Sequence, residues 1–479
     1  MTPQQPTRTL TEMHALLTER LGHAAVITDA GDMIRYCRDW HGDVTTGAVA
    51  VLRPDSTAMV SQAVMTCAEL GLDIVPQGGN TGLVLGATPD QPQRQVVLTL
   101  ERMNRIRSVD ADDFSAVVDA GCVLQTVQEA ADAKGMLFAL SLGAEGSCQI
   151  GGNVSTNAGG INVLRYGMAR EQILGLEVVL ADGEILDTLG TLRKDNRGLD
   201  LKQLFIGAEG TLGIVTAVAL KLHPRAEQVE TALLGVDSLH DAIALYRRAR
   251  RDCCDLMTAF EFMPPQAFML AQEAIPDLTM PIAADYPAYV LMEVSGSGLV
   301  DIKALVETFL ENVMSDGLVK DGVVASTRAQ SANLWKFREG MNDGQALRGA
   351  HLRTDVSVSL SRLSDFVDQA ETRLRTAFPD CLTLSYGHVG DGNIHMNVLP
   401  APGTSAYERE RIIASAKDLI NAVVDEFKGS ISAEHGIGRL KRGEFESRIA
   451  PTQRRVLNTI KRGLDPHLRL NPGCQIGID

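Results

Sequence analysis

Two short segments of the chain carry the residues that could perform chemistry. Residues 385–397 read Ser-Tyr-Gly-His-Val-Gly-Asp-Gly-Asn-Ile-His-Met-Asn, and residues 432–436 read Ser-Ala-Glu-His-Gly. Neutral imidazoles suit zinc and other late first-row divalent ions, and a carboxylate completes a three-ligand site with positions open to water or substrate. The segments therefore predict a catalytic metal site formed by His388, His395 and Glu434, with His435 beside it as the proton acceptor.

The alternative interpretation is that these are ordinary core or surface histidines, of which the chain has 10. The glycines of the first segment exclude a long helix there, so we expect a loop that leads into a strand. From Ile394 onward polar and apolar residues alternate, which would place His395 and Asn397 on one face of that strand. Asp391 lies between two glycines and is interpreted as a turn residue rather than a ligand.

Length and composition restrict the class of protein. A chain of 479 residues predicts two or three domains, and its 45% hydrophobic and 22% charged residues are typical of soluble globular proteins. The net charge of −15 disfavours nucleic acid as a partner. The eight cysteines form no C-x-x-C pair, which predicts free thiols in a reducing compartment. Since no stretch has the character of a signal peptide or a transmembrane helix, we expect a cytoplasmic protein.

The first third of the chain predicts an α/β layer, with helices at residues 8–22 and 57–70 and strands near 48–52 and 74–75. The glycine-rich segment 76–82 follows directly, and closely spaced glycines let backbone N–H groups approach a phosphate. Its spacing is neither Rossmann nor Walker, so a plain tight turn is an equal alternative.

A second glycine-rich stretch at 146–160 favours a large ligand with a long polar backbone over two unrelated turns. Residues 178–186 predict a hairpin with an Asp-Gly turn, and residues 209–216 a third glycine-bearing turn that enters a strand. After Pro224 a second α/β region is predicted, with helices at 238–252, 301–316, 361–378 and 404–427 and strands near 289–294 and 382–386.

The order of these motifs resembles the flavin domain of the vanillyl-alcohol oxidase type. The opening segment and Leu470-Asn471-Pro472-Gly473 extend the resemblance to the FAD-linked D-2-hydroxyacid dehydrogenases, which include D-lactate, D-2-hydroxyglutarate and glycolate enzymes. The resemblance implies an α+β protein, in which a two-subdomain FAD-binding domain is joined to an α/β cap domain with an antiparallel sheet. We predict an N-terminal helical segment at 1–43, the FAD-binding domain at 44–224, the cap at 225–429 and a segment returning to the flavin site at 430–479.

The resemblance also implies where FAD binds. The first glycine-rich loop would contact the phosphates, and other residues would line the remaining path of the cofactor. This assigns to the cofactor Gln77, Gly78, Gly79, Asn80, Thr81, Gly82, Ser147, Gly151, Gly152, Glu209, Gly213, Ile214 and Asn471. Some relatives attach FAD through a histidine after the paired glycines. Because Asn80 stands at that place here, we expect non-covalent binding.

The cap would bind the substrate. Residues 334–339 and 352–357 resemble the substrate-recognition segments of the 2-hydroxyglutarate enzymes, and Arg338 matches their carboxylate-binding arginine. Arg353 and Asn342 stand where those enzymes commonly have Lys and Thr, which leaves the exact acid open. Asn397 could orient the substrate carboxylate or a metal-bound water. Without the resemblance, solvated surface arginines would be an equal interpretation.

The sequence thus predicts an FAD- and metal-dependent oxidation of a D-2-hydroxy acid, with hydride passing to flavin N5 and zinc or manganese as the metal. Two arginines favour the dicarboxylate D-2-hydroxyglutarate over D-lactate or glycolate. A non-catalytic flavin- or metal-binding protein and a flavin reductase of cell-wall precursors are the alternatives of other classes. An electron-transfer flavoprotein, a quinone or a cytochrome would fit as electron acceptor. The oligomeric state is left open, a homodimer included.

Overall fold

A computed structural model describes residues 8–283 and 285–477. The first seven residues of the predicted N-terminal segment and the last two of the C-terminal segment lie outside the described residues. The helices are α1 Leu10–Leu21, α2 Ala30–Met33, α3 Thr57–Leu70, α4 Leu124–Asp132, α5 Ile150–Ser155, α6 Val163–Tyr166, α7 Ala169–Gln172, α8 Leu239–Asp252, α9 Pro265–Ala274, α10 Ile302–Ser315, α11 Arg328–Leu347, α12 Leu363–Ala377, α13 Ala406–Glu426, α14 Arg442–Arg448 and α15 Pro451–Leu464.

The strands form several sheets within two compact units of the chain. They are β1 Val26–Ile27, β2 Val51–Leu52, β3 Asp73–Gln77, β4 Gln95–Thr99, β5 Ile106–Asp110, β6 Ser115–Asp119, β7 Met136–Leu137, β8 Ile173–Val179, β9 Ile185–Asp187, β10 Ile214–Lys221, β11 His223–Pro224, β12 Gln228–Val236, β13 Met257–Met263, β14 Ala288–Gly296, β15 Asp321–Val324, β16 Val356–Ser357, β17 Leu382–His388 and β18 Asn393–Leu399.

Unit 1 comprises residues 1–159, 168–224 and 434–479. One sheet has the order β1-β2-β4-β3, in which β2, β4 and β3 run parallel, and the helix α3 connects β2 to β3. The side chain of Ser56 caps the first turn of α3, and Gly71 ends the helix at a φ of 69°. The second sheet, β5-β6-β10-β8-β9, is antiparallel. The predicted Asp-Gly hairpin is its edge pair β8 and β9.

The C-terminal segment is part of unit 1. The backbone N–H of Ile74 donates to the carbonyl of Arg469 at 2.8 Å, and the N–H of Asn471 donates to the carbonyl of Ile74 at 2.7 Å. These bonds add residues 469–471 alongside β3, next to the first glycine-rich loop. A segment nearly 400 positions later in the sequence therefore helps to fix the strand from which that loop departs.

Unit 2 comprises residues 160–167 and 225–433. Its seven-stranded sheet has the order β15-β12-β14-β13-β17-β18-β16, and every pairing between neighbouring strands is antiparallel. The helices α9 and α11 pack through a core that includes Phe268, Tyr289 and Phe337. The antiparallel sheet and the α+β class were both predicted, and the fold class is confirmed by the solved structures described below.

The hairpin of β17 and β18 contains residues 385–397, the first of the two segments with potentially reactive side chains. Tyr386 lies opposite His395 and Leu384 opposite Asn397 in the register. The turn between the strands ends at Gly392, whose φ is 80°, and a Cβ at this position would lie 2.2 Å from the carbonyl oxygen of Val358. The predicted loop that leads into a strand is therefore a tight hairpin. Asp391 accepts a hydrogen bond from the N–H of Asn393, as expected of a turn residue.

Among residues 8–283 and 285–477, no helix combines the length and the apolar character that crossing a lipid bilayer requires. All eight cysteines are free thiols.

Candidate functional site

A cleft in unit 1 is walled by the glycine-rich segments. It holds about 890 Å³ between its walls, open solvent included. Eleven of the thirteen residues predicted to bind the cofactor line it, namely Gln77, Gly78, Gly79, Asn80, Thr81, Gly82, Gly151, Gly152, Glu209, Gly213 and Ile214. His435 also lines this cleft. The structure thus brings the proton acceptor predicted from the second chemical segment to the same cavity as the glycine-rich loops.

The glycines are needed because the loops touch each other. A Cβ at Gly79 would lie 2.1 Å from the carbonyl oxygen of Ser147, and one at Gly151 would lie 2.8 Å from the Cβ of Ala120. Real side chains do not approach so closely, so a larger residue at Gly79 would force the two loops apart, and one at Gly151 would push the second loop away from Ala120, the residue after β6. The resulting walls consist largely of backbone.

Two buried polar atoms in the cleft wall fit a polar ligand. Gln149 Oε1 and Asn153 Oδ1 are buried and have no hydrogen-bond partner among the described residues. Buried polar groups are satisfied in the great majority of cases, so such orphaned atoms indicate a missing partner. The backbone walls, the glycine cradle and these two acceptors fit FAD.

The side chains of the first loop hold the loop rather than the ligand. Gln77 Nε2 donates to the carbonyls of Tyr36 and Ala87, each at 2.9 Å. Asn80 Nδ2 donates to the carbonyl of Arg38 at 2.7 Å, and Asn80 has a φ of 55°. What these residues present to the cleft is therefore chiefly backbone.

Two predicted cofactor residues lie outside the walls that the described residues form around the cleft. Ser147 is exposed, and Asn471 is 2% exposed but points into the protein. Asn471 Nδ2 donates to the carbonyls of Gly86 and Glu209 at 2.9 and 2.7 Å. Asn471 therefore supports the cleft from behind by joining two of its walls.

Glu209 anchors the loop that carries His435. Its carboxylate accepts hydrogen bonds from the backbone N–H groups of Ile437 at 2.9 Å and Gly438 at 2.8 Å. It also accepts from the thiol of Cys474 at 3.3 Å. Although it was predicted as a cofactor residue, its side chain is engaged in holding residues 437 and 438, two and three positions beyond His435.

In unit 2, His388 and His395 are neighbours on the hairpin. Their ring centroids are 5.9 Å apart, and each offers a ring nitrogen within 4.8 Å of the other's. His395 Nδ1 lies 3.1 Å from the carbonyl oxygen of Thr354, which can only accept, so Nδ1 carries the proton. His388 Nδ1 lies 2.5 Å from the carboxylate of Glu261, which accepts the hydrogen bond, so this Nδ1 also carries the proton. Both rings have the hydrogen bond at Nδ1 that presents Nε2 to a metal.

Glu261 was not predicted from the sequence. It lies on β13 directly opposite His388 in the strand register and is 1% exposed. Its second oxygen accepts from Nε of Arg338 at 2.7 Å. Burial by itself would raise the pKa of this carboxyl, but the neighbouring His388 and Arg338 side chains outweigh burial and lower the pKa to about 2. The available sequence signal was a lone acidic residue between Phe260 and Phe262 in an otherwise apolar strand.

The predicted substrate residues fall into two groups. Arg338 is buried on α11, and its guanidinium lies 5.1 Å from the ring centroid of Tyr386. Tyr386 donates to Asn342 Oδ1 at 3.1 Å and accepts from Asn397 Nδ2 at 3.2 Å. Three of the four thus meet around Tyr386, which was also not predicted. The fourth, Arg353, is exposed.

The amide of Asn397 is held on both sides. Its Nδ2 also donates to Gln345 at 2.7 Å, and its Oδ1 accepts from the N–H of Thr354 at 3.1 Å. An amide held in this way has one defined orientation, so it would serve to orient a bound ligand.

Asp355 ties the hairpin to the start of the second chemical segment. It is fully buried and accepts from Asn393 Nδ2 at 3.0 Å and from the N–H of Ala433 at 3.1 Å. Ala433 is the last residue of unit 2, and Glu434 follows it as the first of unit 1. Within unit 1 the Glu434 side chain packs on Gly159, where a Cβ would lie 2.2 Å from its Oε1.

Two models of protein families match the chain. The model described as "FAD linked oxidases, C-terminal domain" matches residues 225–474, and the one described as "FAD binding domain" matches residues 48–189.

Curated relatives match over nearly the whole chain. A probable mitochondrial D-2-hydroxyglutarate dehydrogenase of Oryza sativa subsp. indica is 39% identical over 94% of this chain and 79% of its own length. The mitochondrial D-2-hydroxyglutarate dehydrogenase of Bos taurus is 38% identical over 95% of this chain and 81% of its own length. The D-2-hydroxyglutarate dehydrogenase of Xanthomonas citri pv. viticola is 37% identical over 93% of this chain and 93% of its own length.

Solved flavoprotein structures share the fold. A 4-ethylphenol oxidase from Gulosibacter chungangensis covers 98% of this chain with 97% of its own at a TM-score of 0.76 and 20% identity. A p-cresol methylhydroxylase gives the same coverage, with a TM-score of 0.77 and 17% identity. At these identities the likeness concerns architecture, which is that of the vanillyl-alcohol oxidase type.

Proposed function

The chain belongs to the FAD-linked oxidases and is an FAD-dependent oxidoreductase, and from this premise we propose that it oxidises D-2-hydroxyglutarate to the 2-oxo acid. The observation that carries the proposal is the similarity to proteins named D-2-hydroxyglutarate dehydrogenase, at 36–39% identity over more than nine tenths of this chain. The glycine-walled cleft supports it, because its orphaned acceptors fit FAD.

The residues predicted from the sequence would have separate roles in this reaction. FAD, when bound, supplies the acceptor for the hydride that leaves the substrate carbon. His435 would take the hydroxyl proton, since histidine is the most common general base in enzymes and this residue lines the cleft. Arg338 and Arg353 would bind carboxylates, for which a planar guanidinium offers a matching pair of donors. Asn342 and Asn397 would orient the substrate through the network around Tyr386.

A divalent metal, zinc or manganese, is part of the proposal. His388 and His395 would present their Nε2 atoms to it, as the hydrogen bonds at Nδ1 favour. Glu434 would complete the set, because it follows directly on Ala433, whose N–H is fixed by Asp355. Such an ion would lower the pKa of the substrate hydroxyl, as it does that of bound water.

An anaerobic titration tests the function. The purified protein is mixed with D-2-hydroxyglutarate, its L-enantiomer, D-lactate and glycolate in turn, and bleaching of the flavin absorbance is followed. We expect fastest bleaching with D-2-hydroxyglutarate and none with the L-acid. Equal or faster bleaching by D-lactate would contradict the choice of substrate, and no bleaching by any acid would contradict the reaction.

Arg353 offers a test of the preference for a dicarboxylate. Because the side chain is exposed, Arg353→Met leaves no buried charge unpaired. We expect kcat/KM for D-2-hydroxyglutarate to fall about tenfold, the loss of one exposed charge-assisted pair, and kcat/KM for D-lactate to stay unchanged. Arg411→Met, an exposed arginine on α13, is the control, and equal losses with both acids would refute this role.

The electron acceptor and the location of the protein stay predictions. The proposed electron acceptor is an electron-transfer flavoprotein, a quinone or a cytochrome. The proposed location of the protein is the cytoplasm. A relative of Saccharomyces cerevisiae, 35% identical over 92% of this chain, is named D-2-hydroxyglutarate–pyruvate transhydrogenase, and several relatives are named mitochondrial.

A further inference from the structure

We infer that Glu261 is a positioning residue that sets two functional groups with one carboxylate, the metal ligand His388 and the substrate arginine Arg338. The inference rests on the proposed function and deepens it. It assigns the two oxygens separately: Oε1 fixes the ring of His388, and Oε2 fixes the guanidinium of Arg338.

The strand register makes this arrangement possible. Glu261 on β13 and His388 on β17 are directly opposite each other, so their side chains leave the sheet on the same face. Arg338 reaches the same face from α11, and the ring of Tyr386, two residues before His388 on β17, lies beneath its guanidinium. The carboxylate is therefore held by partners from two elements, a strand and a helix.

A purely structural ion pair would not require the histidine. Burying a carboxylate is costly unless it is paired, and Arg338 alone supplies the opposite charge. Glu261 instead divides its oxygens between the two, at 2.7 Å to Arg338 and 2.5 Å to His388. The other hairpin histidine, His395, is oriented by a neutral carbonyl, that of Thr354. At Nδ1, His388 thus faces a carboxylate and His395 a neutral carbonyl.

This difference has a consequence for both functions. A carboxylate behind a ligating histidine makes the ring a stronger metal donor and fixes its tautomer, and losing such a partner typically weakens metal binding 10- to 100-fold. The same carboxylate holds Nε of Arg338 and thereby fixes the orientation in which the guanidinium would meet a substrate carboxylate. A change at Glu261 should therefore affect metal affinity and the binding of the dicarboxylate together.

The test replaces Glu261 by Gln, which keeps the shape and removes the charge. Glu293→Gln is the matched control, since Glu293 lies on the neighbouring strand β14, where it accepts from Thr231, Thr258 and Trp335. Metal affinity is measured by competition with a chelator followed by elemental analysis. We expect zinc or manganese to bind 10- to 100-fold more weakly in E261Q and unchanged in E293Q. KM for D-2-hydroxyglutarate should rise more than KM for D-lactate in E261Q alone.

A double variant separates positioning from general damage. If Glu261 acts on the metal through His388, E261Q should cause no further loss of metal affinity in a His388→Asn background, whereas nonspecific destabilisation would add to it. Additive losses, or wild-type metal affinity in E261Q, would overturn the inference.

Glu261→Asp provides a second variant should E261Q fail to fold. It keeps the charge but is one methylene shorter, so it cannot hold both partners at their present distances, and at least one of the two readouts should shift. Wild-type values for both in E261D would also overturn the inference. A wild-type protein without metal or without reaction would instead refute the proposed function, which keeps the two failures distinct.

Discussion

His435 lies where one buried carboxylate can control its position. Glu209 binds the N–H groups of Ile437 and Gly438, which makes residues 437 and 438 a fixed end of the loop that carries the imidazole into the cleft wall. A Cβ at Gly436 would lie 2.9 Å from Glu209 Oε1, so the loop passes close to its anchor. At the scale of single residues, Glu209 is therefore the residue that anchors the loop of His435.

Replacing His435 by Gln tests its role as the proton acceptor. We expect the rate constant of flavin reduction by D-2-hydroxyglutarate to fall 10²- to 10⁴-fold, the usual contribution of a general base. Bound FAD should remain stoichiometric, because the cleft walls consist mainly of the glycine-rich loops. Stopped-flow spectroscopy measures the rate of flavin reduction, and the flavin absorbance spectrum gives the amount of FAD bound per protein.

His240→Gln is the matched control, since the His240 side chain is 81% exposed on α8. It should reduce its flavin at the wild-type rate. A His435 variant that loses FAD would show that the residue is structural, and one that reacts at the normal rate would exclude it as the base.

Among the secondary-structure elements, the two glycine-rich loops act as a pair. Gly79 meets the backbone of residues 147 and 148, and Gly78 approaches Gly152. Each loop is therefore one wall of the cleft and also the support of the other. The lack of side chains at these contacts is what brings the walls to their present spacing.

Gly79→Ala should separate the loops and lower the FAD content of the purified protein severalfold. The added methyl would lie 2.1 Å from the carbonyl oxygen of Ser147, a backbone atom that cannot move aside cheaply. Gly143→Ala is the control, since a Cβ there meets no atom within 4 Å and the glycine has no positive φ. The absorbance ratio of flavin to protein measures the outcome, and full FAD occupancy in the Gly79 variant would contradict the contact.

The helix α15 and the residues after it are joined to unit 1 by a buried ammonium. Lys461 Nζ donates to Asp465 at 2.6 Å and to the carbonyls of Thr211 and Leu470 at 2.6 and 2.8 Å. Burial lowers the pKa of Lys461, and the carboxylate of Asp465 opposes this shift. These bonds hold the C-terminal segment next to β3 and the first loop.

Lys461→Met should destabilise the protein by about 3–5 kcal/mol, because it leaves the buried carboxylate of Asp465 without its charge partner. Thermal unfolding followed by circular dichroism and by flavin fluorescence measures the loss. Arg455→Met, which removes an exposed charge from the same helix, should stay within about 0.5 kcal/mol of the wild type. Equal melting temperatures for the two variants would exclude an anchoring role of Lys461.

At the scale of the whole molecule, the proposed ligand-binding residues are distributed over both units. Every residue that lines the cleft belongs to unit 1. Of the proposed metal ligands, His388 and His395 belong to unit 2 and Glu434 to unit 1. FAD and the proposed metal should be separable, because none of the three proposed metal ligands is among the residues that line the cleft.

Removing the metal by chelation and gel filtration should therefore leave FAD bound. We expect the metal-free protein to be bleached by dithionite but no longer by D-2-hydroxyglutarate, and added zinc or manganese to restore the reaction. Elemental analysis and the flavin spectrum are read on the same sample. Flavin lost together with the metal would contradict the separation, and undiminished reduction by the acid would contradict the metal's role.

The sequence was most informative where a physical constraint is local. Glycine density at 76–82 and 146–160 predicted the walls of the cleft, because only glycine permits backbone contacts so close. Alternation after Ile394 predicted a strand that places His395 and Asn397 on one face. Helices such as α8, α10 and α12 followed from apolar periodicity.

What only the tertiary structure decided is the set of partners. Glu261 faces His388 across a strand pair, Glu209 anchors the loop after His435, and Asn471 joins two cleft walls, yet each pair is more than 100 positions apart in the sequence. A carboxylate in an apolar strand shows only that it needs a buried partner. Which partner it finds depends on strand register and helix packing, and these are set by the whole core rather than by neighbouring residues.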